Sequence, residues 1–194
     1  LKYPVFQGGM AWASSGKLAC AVSNAGGLGI LGCAGREAQW VLNEIKYVIN
    51  NTLKPIGLNV ALHDESAVDI VELAVENGIK YFTMGGANTY LKLISRFSDD
   101  VIIIPVVGSS MEAKLAERAG AKLIICEGQE SGGSIGRLSL FSLLPQVVDA
   151  VKIPVIAAGG IADSRGMRAA FALGAEGIQM GTRFLASEEC HVLE

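Results

Sequence analysis

Gly-Gly at 159–160 and Gly-Thr at 181–182 each directly follow a short apolar run, Ile-Pro-Val-Ile-Ala-Ala in the first case and Gly-Ile-Gln-Met in the second. Residues without bulky side chains let main-chain N–H groups approach an anion directly, and a helix starting there adds its dipole, so this pair of corners suits a phosphate. Glycines also serve plain turns. A phosphate is favoured here because the two corners follow the last two runs of the chain, where parallel barrels commonly bind one. The stretch Glu127-Gly-Gln-Glu-Ser-Gly-Gly-Ser134-Ile-Gly136 holds two carboxylates, two hydroxyls and four glycines, too polar for a mere connector. It reads as a binding loop in which Glu127 accepts from a ribityl or ribose hydroxyl. Glu130 either joins it or stands as a solvated charge.

Other chemistries find less support. Gly27-Leu-Gly29-Ile-Leu-Gly32 fits a dinucleotide fingerprint in spacing, but a helix pattern precedes its first glycine and positions 50–53 read Asn-Asn-Thr-Leu where an acidic residue is required. It is read as a strand. A serine nucleophile needs a nearby base, and the two histidines, His63 and His191, make no triad and no metal constellation. Cys126 has Glu127 beside it, which raises rather than lowers a thiol pKa, so it is expected to be a buried structural cysteine. Met10 and Trp12 either pack on a planar ligand or fill core, and Arg183 either neutralises a phosphate or pairs with a surface carboxylate.

These residues need elements to hold them at one face. Gly26, Gly78, Gly120 and Gly174 each separate a helix pattern from a short β-rich run, and such repeated joints are how a parallel sheet is wired. Strands are expected at 4–7, 28–32, 56–60, 80–84, 102–107, 122–126, 154–158 and 177–180. Helices are expected at 14–24, 36–49, 66–77, 88–97, 111–119, 140–151 and 164–173, with a short piece after 181. Runs such as Val-Ile-Ile-Ile-Pro-Val-Val are apolar at nearly every position, so both faces are covered. Eight such units predict an α/β (β/α)8 TIM barrel of parallel strands, with an open doubly wound sheet as the alternative. Ligands of either fold sit beyond the carboxyl ends of the strands, at Gln7 to Met10, Asn59, Glu127, Gly159-Gly160 and Gly181-Thr182.

The 194 residues are 51% hydrophobic and 18% charged, with 16 Lys+Arg against 19 Asp+Glu and a net charge of −3. That balance excludes a disordered tail, a coiled coil and a basic nucleic-acid arm. No apolar run reaches the roughly 18 residues of a membrane span, and no secretory signal is visible. Four cysteines without a CxxC pair read as reduced thiols, which places the protein in the cytoplasm. A single domain over 1–194 is the expectation.

Tyr-Pro-Val-Phe-Gln-Gly-Gly-Met10-Ala-Trp, Ser-Asn-Ala-Gly-Gly-Leu-Gly29, Ile-Ala-Ala-Gly-Gly160-Ile-Ala-Asp and Met-Gly-Thr-Arg-Phe184-Leu-Ala together resemble the flavin enzymes that include nitronate monooxygenase (2-nitropropane dioxygenase) and the flavin-dependent enoyl-ACP reductase. The resemblance covers essentially the whole chain and leans towards the reductase branch. It implies a barrel binding FMN at its C-terminal mouth. Gly9, Met10 and Ala11 would lie along the isoalloxazine, Asn59 and Glu127 would bond its ring or ribityl chain, and Gly132 and Gly133 would flank it. Gly159, Gly160, Gly181 and Thr182 would hold the phosphate. The implied activity is NAD(P)H-dependent reduction of an enoyl thioester carried on acyl carrier protein. The alternatives are oxidation of a small nitronate by O2, or a barrel that binds flavin or phosphate with impaired catalysis; a phosphosugar isomerase or synthase without flavin has weaker support. A homodimer is plausible.

Two departures from the family pattern stand out. The family loop ends Ala-Gly-Gly-His, and here Ser134 occupies the histidine position, where an unassisted hydroxyl can donate a hydrogen bond but cannot replace a base titrating near neutrality. In the family a helical region that covers the flavin follows the barrel, and it is expected to be absent here.

Overall fold

The computed structural model describes residues 1–61, 67–86, 90–97, 100–132 and 137–190. Eight strand–helix units follow one another: β1 (Val5–Gln7), α1 (Gly16–Ala25), β2 (Gly29–Gly32), α2 (Ala38–Asn51), β3 (Ile56–Ala61), α3 (Ala67–Glu76), β4 (Tyr81–Gly85) and α4 (Tyr90–Ile94), then β5 (Ile102–Val107), α5 (Ser110–Arg118), β6 (Ile124–Glu127), α6 (Leu140–Val148), β7 (Val155–Ala158), α7 (Ser164–Ala172), β8 (Gly177–Met180) and α8 (Thr182–Leu185). Every ladder is parallel, in the order β1-β8-β7-β6-β5-β4-β3-β2. The two ends meet through a parallel bridge between Phe6 and Leu28. There the Gln7 N–H donates to the Leu28 carbonyl at 2.9 Å, and the Leu28 N–H donates to the Val5 carbonyl at 2.9 Å. A sheet whose first strand pairs with its last and touches its second is a closed (β/α)8 barrel, which removes the doubly wound alternative.

The expected strands lie within two residues of the observed ones. The main differences among the described residues are the ends of α4 and α6, at Ile94 and Val148 where 97 and 151 were expected. The joints take the expected form: Gly26 sits at φ 108°, and its N–H closes α1 onto the Ser23 carbonyl at 3.0 Å. Gly78, Gly120 and Gly174 occupy the same left-handed region.

Strand alternation divides the core in two. Phe6, Ile30, Ile104, Ile125 and Ile156 fill the barrel interior. Their neighbours along the strands, among them Leu31, Leu58, Phe82 and Ile124, point outward and pack with Val41, Ile45, Leu143 and Leu144 of the helices. Both faces of each strand are therefore buried, which is why the runs are continuously apolar.

The Gly27–Gly32 stretch is β2 and its lead-in, and its spacing reflects packing. A Cβ on Gly29 would stand 1.9 Å from the Ala19 carbonyl oxygen of α1, and one on Gly32 would stand 2.5 Å from the Met10 carbonyl oxygen. Gln7 was expected at the mouth; it faces the helical shell instead and is fully buried. Its Oε1 accepts from the Ile30 N–H at 3.0 Å, and its Nε2 donates to Ser14 Oγ at 2.8 Å and to the Gly8 carbonyl. A side-chain amide thus extends the ladder between β1 and β2 where backbone pairing stops. No described helix is long and apolar enough to cross a membrane.

Candidate active site

The carboxyl ends of the strands open on one face, and alternation decides which side chains reach it. Phe82 and Met84 belong to the outer shell, so Thr83 between them faces the barrel interior; the same logic turns Asn59, between Leu58 and Val60, inward. Asn59 Nδ2 donates to Thr83 Oγ1 at 3.1 Å and to the Thr83 carbonyl at 3.3 Å. On β6, Ile124 and Cys126 point out, leaving Glu127 on the inner side with Ile125. On β8, Ile178 points out and Gln179 points in, its side-chain carbons 3.3 Å from where a Gly8 Cβ would be. The top of the barrel is therefore polar, while the layers beneath are apolar.

Two of these groups are held in unusual states. Burial pushes the Glu127 carboxyl above its ordinary range, and the Ser131 hydroxyl beside it partly opposes the shift. Gln179 Oε1 is buried and accepts from no described residue, which is a destabilising state unless something else donates to it. Gln179 was not singled out from the sequence. Its one signal is that it is the polar residue within an otherwise apolar strand, on the parity of an inward position.

A raised carboxyl pKa has a direct consequence for stability. The folded protein bears the penalty of a desolvated carboxylate at neutral pH and is relieved of it when the group is protonated, so stability from this site is present at low pH and lost as pH rises through the folded pKa. Glu127→Gln is expected to melt higher than the parent near neutral pH. The difference should vanish as pH falls below the carboxyl's unfolded value; a gain that persisted in acid would show that burial is not its source.

The two glycine corners stand on the same face. Gly159 and Gly160, at φ 123° and 66°, carry the chain off β7 through backbone that side chains disfavour. A Cβ on Gly159 would lie 3.4 Å from both the Gly128 carbonyl oxygen and the Ser131 nitrogen, so the β6 and β7 loops lean on each other there. No described residue accepts from the main-chain N–H of Gly160, Gly181 or Thr182. Met10 reaches over the second corner, its sulfur 3.6 Å from where a Gly181 Cβ would be. Gly9 presses on Asn59, whose Cβ lies 2.1 Å from where a Gly9 Cβ would be. Ala11, Gly132 and Thr182 are exposed on the same rim.

The fold also places the remaining residues of interest. Glu130 is exposed, and its carboxylate accepts from the Leu140 N–H, at 2.9 Å to Oε2, and so holds the β6 loop on the start of α6. Trp12 does not fill core; it is 58% exposed and lies over the Arg36 guanidinium. Arg183 is exposed and joins no ion pair among the described residues. Cys126 is fully buried, and burial first, then the charge of Glu127, pushes its thiol up to about 12, as suits an inert cysteine. Gly133, Ser134, His63 and His191 lie outside the described residues.

A family model for nitronate monooxygenase matches residues 1–194. The chain belongs to the nitronate monooxygenase family. Among solved structures, this family member superposes on FabK from Thermotoga maritima with a TM-score of 0.95 at 47% identity, over 98% of this chain and 61% of that one. It is 39% identical to a (3aS,4S,5R,7aS)-5-hydroxy-7a-methyl-1-oxo-octahydro-1H-indene-4-carboxyl-CoA dehydrogenase of Mycobacterium tuberculosis, over 99% of this chain and 55% of the relative. It is also 36% identical to a probable nitronate monooxygenase of Staphylococcus aureus, over 100% of this chain and 68% of the relative. The chain thus spans little more than half the length of the mycobacterial protein.

The mouth of this nitronate monooxygenase family member fits a phosphorylated polar group. Amide donors with no acceptor among the described residues stand at the two glycine corners, and a buried amide oxygen with no described donor stands in the barrel top. Such groups gathered on one face are what a bound ligand could satisfy.

Proposed function

We propose that the chain is the flavin-binding barrel of an FMN-dependent oxidoreductase, and that the reaction is NAD(P)H-dependent reduction of an enoyl thioester. The observation that carries the flavin reading is the pairing of main-chain N–H groups at Gly160, Gly181 and Thr182, which donate to no described residue, with the inward polar set of Asn59, Glu127 and Gln179. The amides would grip the phosphate, Asn59, Glu127 and Gln179 would bond the ribityl chain or ring edge, and Gly9 to Ala11, with Gly132 and Gly133, would flank the ring. When bound, FMN supplies a carrier for a hydride between NAD(P)H and the β-carbon of the thioester. The balance is enoyl thioester plus NAD(P)H plus one proton, giving acyl thioester and NAD(P)+. The proton reaches the α-carbon from solvent or from a group of the site. The 47% identity to FabK supports the reductase branch.

The second reading keeps the cofactor and oxidises a small nitronate with O2; the relation to the Staphylococcus aureus protein favours it. Anaerobic mixing of the flavin-loaded protein with NADH separates the two. Rapid bleaching of the flavin's visible absorbance is expected, and its absence would reject the reductase. Ser134→His tests a third reading, a binding barrel with impaired catalysis. Turnover by the parent would end that reading, whereas turnover confined to the histidine variant, with equal flavin binding in both, would establish it.

A further inference from the structure

The mouth carries one charged construction that the flavin site does not use. The Arg36 guanidinium carbon lies over the Trp12 ring, 4.0 Å from its centroid, and over the Trp40 ring, 4.3 Å from its centroid. Trp12 stands in the β1–α1 connection and Arg36 in the β2–α2 connection, with Trp40 at the start of α2. Both connections leave the carboxyl ends of their strands, so the stack is on the active face. It is displaced around the rim from the glycine corners, which follow β7 and β8.

Stacking takes up the faces of a guanidinium and leaves its edge, where its N–H donors lie in a planar fork. No carboxylate pairs with that edge among the described residues, and Arg36 Nε is buried with no acceptor. Trp12 is the one described non-glycine residue at positive φ, 69°, a conformation that disfavours a bulky side chain by about 1–2 kcal/mol. More than half of its surface nevertheless reaches water. An exposed indole held in a strained backbone over an arginine contributes little to the core; what it does is fix the direction of the fork.

We propose that Arg36, held by Trp12 and Trp40, is a second anion-recognition site on the mouth, which takes the phosphoester handle of the molecule that meets the flavin. A permanently charged, weakly hydrated planar fork matches two oxygens of a phosphoester. The inference rests on the reductase reading: both a thioester on a phosphopantetheine arm and a nicotinamide dinucleotide carry such a handle, whereas a small nitronate carries none.

The test uses the full-length, flavin-loaded protein and titrates it directly with coenzyme A, with pantetheine, which lacks the phosphates, and with NAD+. Arg36→Met, which keeps a flexible apolar stem between the indoles, is expected to weaken coenzyme A binding about tenfold or more and to leave pantetheine unchanged. Arg36→Lys should recover part of the loss, and it carries the comparison alone if the methionine variant does not fold. The KM for crotonyl-CoA should rise with kcat at saturation unchanged. If NAD+ loses affinity instead, the handle is the diphosphate of the dinucleotide. Unaltered affinity for both phosphorylated probes, an equal loss for pantetheine, or a lower melting temperature with unchanged affinities would overturn the proposal. Failure of NADH to reduce the flavin rejects the reductase reading separately, because the binding titrations need no turnover.

Discussion

Gly29→Ala should lower the melting temperature by roughly 10 °C, an effect of about 3–4 kcal/mol for a chain of this size. The added carbon would stand 1.9 Å from the Ala19 carbonyl oxygen and 2.6 Å from the Ala19 Cα, and both are backbone atoms in the middle of α1. No rotamer change relieves such a clash; helix and strand must separate, and Leu31, fully buried on the same strand, loses its packing. Gly132→Ala is the control, since among the described residues nothing lies within 4 Å of its added carbon. Thermal melts followed by circular dichroism decide the matter, and a Gly29→Ala protein as stable as the control would mean that α1 does not sit so close on β2.

Gln7→Leu is the second large effect, with an expected loss of about 2–5 kcal/mol. The replacement preserves the volume but deletes a donor that serves the Ser14 hydroxyl and the Gly8 carbonyl, and an acceptor that serves the Ile30 N–H. Ser14 Oγ also accepts from the Met10 N–H at 2.8 Å, so the loss spreads to the loop over the mouth. Two readouts should therefore move together: the denaturation midpoint falls, and FMN affinity falls with it. Gln7→Glu is expected to be no more stable near neutral pH, because it buries a carboxylate oxygen against the Gly8 carbonyl to which the amide donates. A Gln7→Leu variant with parental stability would show that the amide is not what closes β1 onto β2.

The architecture was legible because its signals are local. Buried parallel strands must be apolar on both faces, and Val-Ile-Ile-Ile-Pro-Val-Val at β5 has no other economical use. A helix that must reverse into a strand ends on a left-handed residue, and glycines 26, 78, 120 and 174 mark those places. The turn at Gly159-Gly160 was legible for the same reason, since a sequence displays the omission of a side chain directly, and both residues take positive φ.

What stayed hidden depends on partners far along the chain or on the facing of a single strand. Glu130 looks like any loop carboxylate until Leu140 is brought beneath it. Gln7, by position, belongs with the mouth, yet the parity that turns Phe6 into the barrel turns Gln7 away from it. Gln179 sits in a four-residue strand, too short for alternation to be read with assurance. Arg36 and Trp12 are separated by 23 intervening residues, and only closure of the barrel sets one over the other.

β1 pairs along its length with β8, about 170 residues later, while its near neighbour holds it by one bridge. During synthesis β1 must therefore wait, with one edge bare, until almost the whole barrel has been made. Release of the chain before β8 has emerged would leave a half-cylinder whose open flank can join another molecule's. Chaperone dependence should accordingly concentrate in that interval, and slow translation ahead of Gly177 should lengthen it.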